Sequence, residues 1–182
     1  MMSENAVKLT RKDLMGVMIK FSFFPMVTIN YERFQSLQYF CAISGVLEKL
    51  YPEKQDRIDA AKRHMAFYNT TPEWMSITLG MNCAQEETIA AMEHGEERAT
   101  LEESVNTVKA SLMGPLAGIG DTITQGLVKT VSLAIAVDMT LKGSPLGPIV
   151  FILLYGAYLL AMGIFTFKQG YKVGRSVSVS YT

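Results

Sequence analysis

One uncharged run of 23 residues, Pro145 to Phe167 (PLGPIVFILLYGAYLLAMGIFTF), constrains this chain more than any other feature. As a helix rising 1.5 Å per residue, it is long enough to cross a hydrocarbon core of about 30 Å. The competing reading is a helix buried in a soluble core, but uncharged apolar runs of about 18 residues or more read as membrane spans. Tyr155 and Tyr158 fall in the middle of the run, not at its ends, so they read as helix-packing positions instead of an interfacial belt. Gly156 and Gly163 offer small surfaces for close helix contact.

Charge around the run predicts its orientation. Lys168, Lys172 and Arg175 follow it directly, and only Lys142 lies in the connector before it, so the positive-inside rule puts the C-terminal end in the cytoplasm. The preceding stretch Met113 to Val137 is also apolar, although it carries Asp121 and Lys129 and opens on the glycine-rich MGPLAGIGD. If it crosses outward and the next segment returns, Asp138 to Ser144 is an external turn. A re-entrant loop is the alternative, because Pro115, Gly118 and Gly120 weaken regular helix. Met1 to Ala6 has no basic stretch leading into an apolar run, so no secretory signal is expected and the N-terminus is read as cytoplasmic.

Before Lys109 the chain is charged and helical in pattern. Thr10-Arg11-Lys12-Asp13 has the capping form that starts a helix, followed by Leu14, Met15, Met18, Ile19 and Phe21 to Phe24 as an amphipathic face ending near Pro25. A second helix is expected over Asn30 to Leu50, with Phe34, Leu37, Cys41, Ser44 and Leu47 on one side. A third is expected from about Asp56 to Tyr68. A fourth opens at Thr71-Pro72-Glu73, and another at Thr100-Leu101-Glu102-Glu103, running to a Gly114-Pro115 break. The fold class is therefore an all-α membrane protein: cytoplasmic or interfacial helices over residues 1–110, a glycine-rich hydrophobic hairpin or re-entrant segment with an external turn over 111–144, a transmembrane helix over 145–167 and a cytoplasmic tail over 168–182.

Several function classes are excluded by what the chain lacks. Seventeen Lys+Arg balance seventeen Asp+Glu, which gives no basic footprint for nucleic acid. Cys41 and Cys83 make no disulfide framework or zinc spacing and read as reduced core or lipid-side residues. The Gly114 to Asp121 segment lacks the Gly-Lys-Ser/Thr ending of a phosphate loop, and Ile123 stands at the third-glycine position of a dinucleotide fingerprint. No metal or cofactor is expected. His64 and His94 read as structural, because neither has an evident orienting acid nearby in sequence. Glu86, Glu87, Glu93, Glu96, Glu97, Glu102 and Glu103 read as a solvated acidic face.

Asp121 is the principal candidate. An acid at membrane depth carries an insertion penalty of about 2.5 to 3.5 kcal/mol, so it should face protein or a polar cavity, where a carboxylate can accept hydrogen bonds from sugar hydroxyls. The alternative is that Asp121 simply caps the helix beginning at Thr122. Lys129 lies two turns on, where it can pair with Asp121 or snorkel.

The order NYERFQ (Asn30 to Gln35), H-x-x-F-Y-N-T-x-P (His64 to Pro72), a Gln-Glu-Glu helix (Gln85 to Glu87) and V-K-x-S-L-M-G-P-L-A-G-I-G-D (Val108 to Asp121) resembles the enzyme IID component of the mannose/fructose/sorbose phosphotransferase permeases. The resemblance implies a subunit of the bacterial inner membrane, non-catalytic by itself, that pairs with a IIC subunit in a hetero-oligomer. Phosphate would travel on separate IIA and IIB proteins, and a hexose or amino sugar would be translocated and phosphorylated together. It also implies that Asp121, with Gly118 and Gly120, and then Asn69 and Glu32, contribute to a sugar site or the IIC interface. Family members continue well past this length, so the resemblance implies a C-terminally shortened chain, with a non-transporting remnant that only binds IIC as the alternative function. Gln85 stands where a methionine is expected, and Lys129-Thr130 where an Arg-Pro pair is usual.

Overall fold

The computed structural model describes residues 7–23 and 27–179, and every regular element among them is helical. Helix α1 (Arg11–Phe23) starts as its capping signature predicts. The Thr10 amide and hydroxyl each donate to Asp13 Oδ2 at 2.7 Å, and the Asp13 amide donates back to Thr10 Oγ1 at 3.4 Å. Pro25, the expected stop, lies outside the described residues.

Helix α2 (Ser36–Leu50) begins later than the expected onset at Asn30. The Asn30 side chain accepts the amides of Glu32 (3.1 Å) and Arg33 (2.8 Å), a local turn that competes with helix and wins here. Phe34 then takes a left-handed backbone (φ 51°) and bridges to both Asn30 and Tyr68. With the onset moved, Phe34 precedes α2, Cys41 and Ser44 fall on its wetter flank, and the core face is Tyr39, Ile43, Val46, Leu47 and Leu50. Helix α3 (Lys54–His64) stops short of Tyr68, and α4 (Pro72–Ala91) begins with proline in its first turn, as expected.

Helix α5 (Glu96–Gly120) starts one turn before Thr100. Its first turn carries Glu96 and Glu97, which favour a helix N-terminus, so Thr100 is interior and its hydroxyl bonds the Glu96 carbonyl at 2.9 Å instead of capping. Nor does Pro115 break the chain: Ser111, whose carbonyl loses its helical donor, is exposed and can be solvated. The helix continues into a π-helical stretch, Asp121–Lys129, and then α6 (Thr130–Leu141). Backbone from Glu96 to Leu141 is thus helical without interruption, which makes Met113 to Val137 part of one arm of a helical hairpin. After a turn with Gly143 at φ 84°, α7 (Gly147–Val179) returns. It does not end at Phe167, so Lys168, Lys172 and Arg175 ride on the same helix and not on a separate tail.

Two regions result. A helical body buries Tyr39, Ile43, Met75, Leu79, Ile89, Leu101, Val105 and Phe167 in one core built from α1, α2, α4, α5 and the second half of α7. From it projects the antiparallel hairpin of the π-helix and α6 against the first half of α7, closed near its tip where Gly147 packs on Ala136 and Thr140. Only 6% of the apolar window in α7 is buried, so this is not the core helix of a soluble domain.

The second half of α7 runs parallel to α4 at very close range. A Cβ on Gly80 would run into the Phe167 carbonyl and the Tyr171 amide. One on Gly170 would run into the Ile77 backbone, and one on Gly174 into that of Met81. Three glycines therefore let two backbones touch, which fixes where the hairpin leaves the body.

Candidate functional site at the base of the hairpin

Where the hairpin leaves the body, three elements bring polar side chains together. The first turn of α4 supplies Thr71, Glu73 and Trp74. Its position is set by the loop before it: the Gln35 amide donates to the Tyr68 carbonyl at 2.9 Å, and the Thr70 amide donates to Gln35 Oε1 at 2.9 Å. The Thr71 hydroxyl does not cap its own helix. It reaches across to the Ala117 carbonyl (3.3 Å) and Asp121 Oδ1 (3.5 Å). Gly120 admits this contact, since a Cβ there would collide with Thr71 and crowd Trp74.

From the other side, α7 contributes Thr166, whose hydroxyl donates to the Glu73 carbonyl at 2.7 Å, and Tyr158, whose hydroxyl lies 3.2 Å from Thr124 Oγ1 on the π-helix. Three buried polar atoms at this junction have no hydrogen-bond partner: Thr70 Oγ1, Glu73 Oε1 and Trp74 Nε1. One is an acceptor on a carboxyl group, one is a hydroxyl and one is a pure donor. Leaving such groups unpaired is unfavourable, and π-helical turns recur at functional sites. The set suits a ligand that both donates and accepts, as a polyol does. Among the described residues no group of three or more His, Cys, Asp or Glu is placed to hold a metal ion.

Deeper in the body lies an ionic centre that sequence reading placed at the surface. Glu86 is fully buried and accepts from Tyr51 (2.6 Å), from Arg63 through Nε (2.9 Å) and Nη2 (3.0 Å), and from His64 Nε2 (2.8 Å). Burial alone would raise its pKa; the hydrogen bonds from His64 and Arg63 outweigh that and hold it at about 2. Burial lowers the His64 pKa, only partly opposed by Glu86, so the ring is neutral and donates its Nε2 proton. The Lys109 ammonium sits 4.6 Å from the Tyr39 ring centre and 5.5 Å from that of Tyr68, and donates to the His64 carbonyl at 3.2 Å. Burial brings the Lys109 pKa down to about 8. This centre ties α2, α3, α4 and α5 together.

The five sequence-predicted residues fare differently. Asp121 and Gly120 meet at the junction, and Asp121 lies within continuous helix (φ −62°, ψ −41°), so it is not an N-cap. Asp121 and Lys129 are both exposed, and no ion pair joins them. Gly118 faces open space. Asn69 is exposed at the edge of the junction, its amide donating to Met113 Sδ at 3.3 Å. Glu32 lies apart, paired with its neighbour Arg33. His64 does have an orienting acid, Glu86, and Glu86 is not part of a solvated face; Glu93, Glu96, Glu97 and Glu103 are exposed, and Glu102 is half-buried and paired with Arg98. Sequence reading missed Thr71, Glu73, Trp74, Thr124 and Thr166. The available signal was a polar cluster, Thr122, Thr124 and Gln125, inside an otherwise apolar segment.

An all-helical body, a projecting apolar hairpin and a polar junction at its base are the architecture of a helical membrane component. Residues 8–181 match the family model of the PTS system mannose/fructose/sorbose family IID component, and the chain belongs to that family. It is 35% identical over 168 residues to the mannose-specific EIID component of Escherichia coli K12, covering 92% of this chain and 57% of that protein. It is 31% identical over 170 residues to the sorbose-specific EIID component of Klebsiella pneumoniae, covering 93% and 60%. Among solved structures, a chain from the cryo-EM complex of the mannose transporter ManYZ with microcin E492 superposes with a TM-score of 0.85 at 34% identity, covering 93% of this chain and 60% of that one. The chain thus spans about three fifths of the length of these relatives.

Proposed function

We propose that this chain is the IID subunit of a permease that carries a hexose or amino sugar across the bacterial inner membrane, coupled to phosphorylation of the sugar by IIA and IIB partners. The observation that carries the reading is the hairpin-base junction, where Thr70, Glu73 and Trp74 present unsatisfied polar groups beside the Thr71–Asp121 contact and an apolar hairpin. The chain acts there as a binding and positioning element, and a IIC subunit supplies the rest of the pathway. The likeness to a chain of the ManYZ complex supports that pairing. Lys168, Lys172 and Arg175 on α7 support a cytoplasmic location for the body and the N-terminus.

The test is uptake in a strain lacking its own IID but holding IIC and the phosphocarriers. The parent chain restores mannose-class sugar uptake, and Asp121→Asn, at unchanged membrane abundance, lowers it at least about tenfold, the effect of losing about 1.4 kcal/mol of binding. Unchanged uptake in Asp121→Asn removes the site assignment. Stable insertion of the parent without any uptake favours a role limited to binding the IIC partner.

A further inference from the structure

The helical body has two ends, and they differ in the apolar surface they expose. At the far end lie the charged α2–α3 and α4–α5 connections, with Glu53, Lys54, Glu93 and Glu96 exposed. At the near end, where α4 begins and the hairpin leaves, six large apolar side chains among the described residues are exposed, Phe23 (73%), Val27, Ile29, Tyr31 (99%), Phe34 and Phe67, interspersed with Glu32 and Asn69. Chain direction brings them together. Helix α1 runs antiparallel to α2, with Asp13 bonded to Lys49, so the end of α1 lies beside the start of α2. Phe34 bridges to Tyr68 and stacks edge-on with Phe67, ring centres 5.6 Å apart. Tyr68 stands just before Thr71, which touches Asp121 at the hairpin base.

The level of that base follows from length. Gly147 to Thr166 on α7, and Asp121 to Leu141 on the other arm, each span about 30 Å at 1.5 Å per residue, the thickness of a hydrocarbon core. The hairpin therefore fills one bilayer, with its base, and the apolar rim around it, at the membrane–water boundary. Tyrosine settles at that boundary with its hydroxyl at headgroup level, phenylalanine buries its ring just below, and Arg33 and Lys62, each beside an acid (Glu32 and Asp59), bring cations within reach of phosphates. Phe34 holds a left-handed backbone, uncommon for a bulky residue, and the Asn30 turn and the Tyr68 bridge keep it there, so the rim is a preformed surface.

We infer that the near end of the body, through Tyr31, Phe34 and Phe67, seats on the lipid headgroup layer as an interfacial collar around the base of the hairpin. This rests on the membrane reading above, and the test separates the two. In a Cys41→Ser, Cys83→Ala background, single cysteines at Tyr31, Phe67, Glu93 and Leu153 carry a small fluorophore in nanodiscs of phosphatidylcholine, with or without phosphatidylglycerol. Headgroup-nitroxide lipid is expected to quench the probes at 31 and 67 several-fold more than the probe at 93, and acyl-chain nitroxide to quench the probe at 153. Quenching at 153 without quenching at 31 and 67 overturns the collar and leaves the membrane reading standing. No quenching at 153 overturns both. Shielding of 31 and 67 from aqueous iodide that arises only when the membrane partner is co-reconstituted makes the rim a protein interface and also overturns the proposal. A phosphatidylglycerol-dependent increase in quenching assigns part of the seating to Arg33 and Lys62.

Discussion

Replacing Gly170 by alanine sets two opposing effects against each other, and the structure decides which wins. Alanine in a helix interior is favoured over glycine by about 1 kcal/mol. Against that, the added methyl meets the Ile77 carbonyl oxygen, its carbon and its Cα, all backbone atoms of α4 that no side-chain rotation can clear. The helices must separate, and Gly80 and Gly174 on either side are equally close-packed, so the strain has nowhere to go. Overpacking ranges over about 1–3 kcal/mol, and an unyielding backbone neighbour puts this site at the top of that range. The net loss is about 2 kcal/mol, a fall in Tm of about 4–8 °C for a chain of this size. Gly156 on the same helix has nothing within 4 Å of its would-be methyl, so Gly156→Ala is expected to raise Tm by about 2–4 °C. Thermal unfolding followed by helical circular dichroism, on both variants in the same detergent, reads the difference directly. Equal shifts, or a rise for Gly170→Ala, would refute the claim that α4 and α7 touch backbone to backbone.

Glu86→Gln leaves the buried Arg63 with only the longer contact to Glu102 (3.7 Å) and is expected to lower stability by about 3 kcal/mol, measured by denaturant unfolding of the parent and the variant. The pH dependence follows from the same centre. The His64 pKa is depressed in the folded state, so unfolded chains take up a proton near pH 6.5 that folded chains refuse, and stability falls as pH drops below that value. Glu86, held at about 2, adds a second loss between about 4.5 and 2. A Tm profile that is flat from pH 7 to pH 5, or identical for the parent and His64→Gln, would contradict this assignment.

Local signals in the sequence were readable where chemistry was local. The Thr10–Asp13 cap and the proline in the first turn of α4 are satisfied within a few residues, and the structure keeps both. Asn30 misled because its side chain offers two neighbouring amides an alternative to helix, and nothing in the apolar spacing of α2 records that competition. Thr100-Leu-Glu-Glu carried a valid capping pattern, yet the helix already extended to Glu96, so the pattern was spent inside it. The acidic run was misread because Arg63 and His64, which sequester Glu86, lie 23 and 22 residues away. At the candidate site, Asp121 stood out because an acid in an apolar segment is anomalous by itself. Glu73 and Thr166 did not, since they become a site only when α7 crosses α4, 93 residues apart in sequence.

The π-helical stretch explains why a site exists at all on this hairpin. In a regular α-helix, residues three apart lie 300° around the axis, that is, 60° from one another; the wider π turn, at about 4.4 residues, opens that angle toward about 115°. The extra rotation lets Asp121 face Thr71 of the body while Thr124 faces Tyr158 of the hairpin partner. Deleting Gly126, whose would-be Cβ sits 3.4 Å from the Asp121 carbonyl within this turn, should restore α geometry and turn the two contacts out of step. The hairpin would remain, because its apolar faces are long and redundant, but one contact would be lost. Cysteines placed at Thr124 and Tyr158 report this without reference to transport: because the Tyr158 hydroxyl makes the contact from the far end of its ring, the two thiols are bridged by a short bifunctional thiol reagent and not by a direct disulfide, and they cross-link in the parent and fail to do so in the deletion variant, at equal helicity. If the deletion cross-links as readily as the parent, the turn is not what aims these residues, and the polar junction owes its geometry to the glycine contacts between α4 and α7 alone.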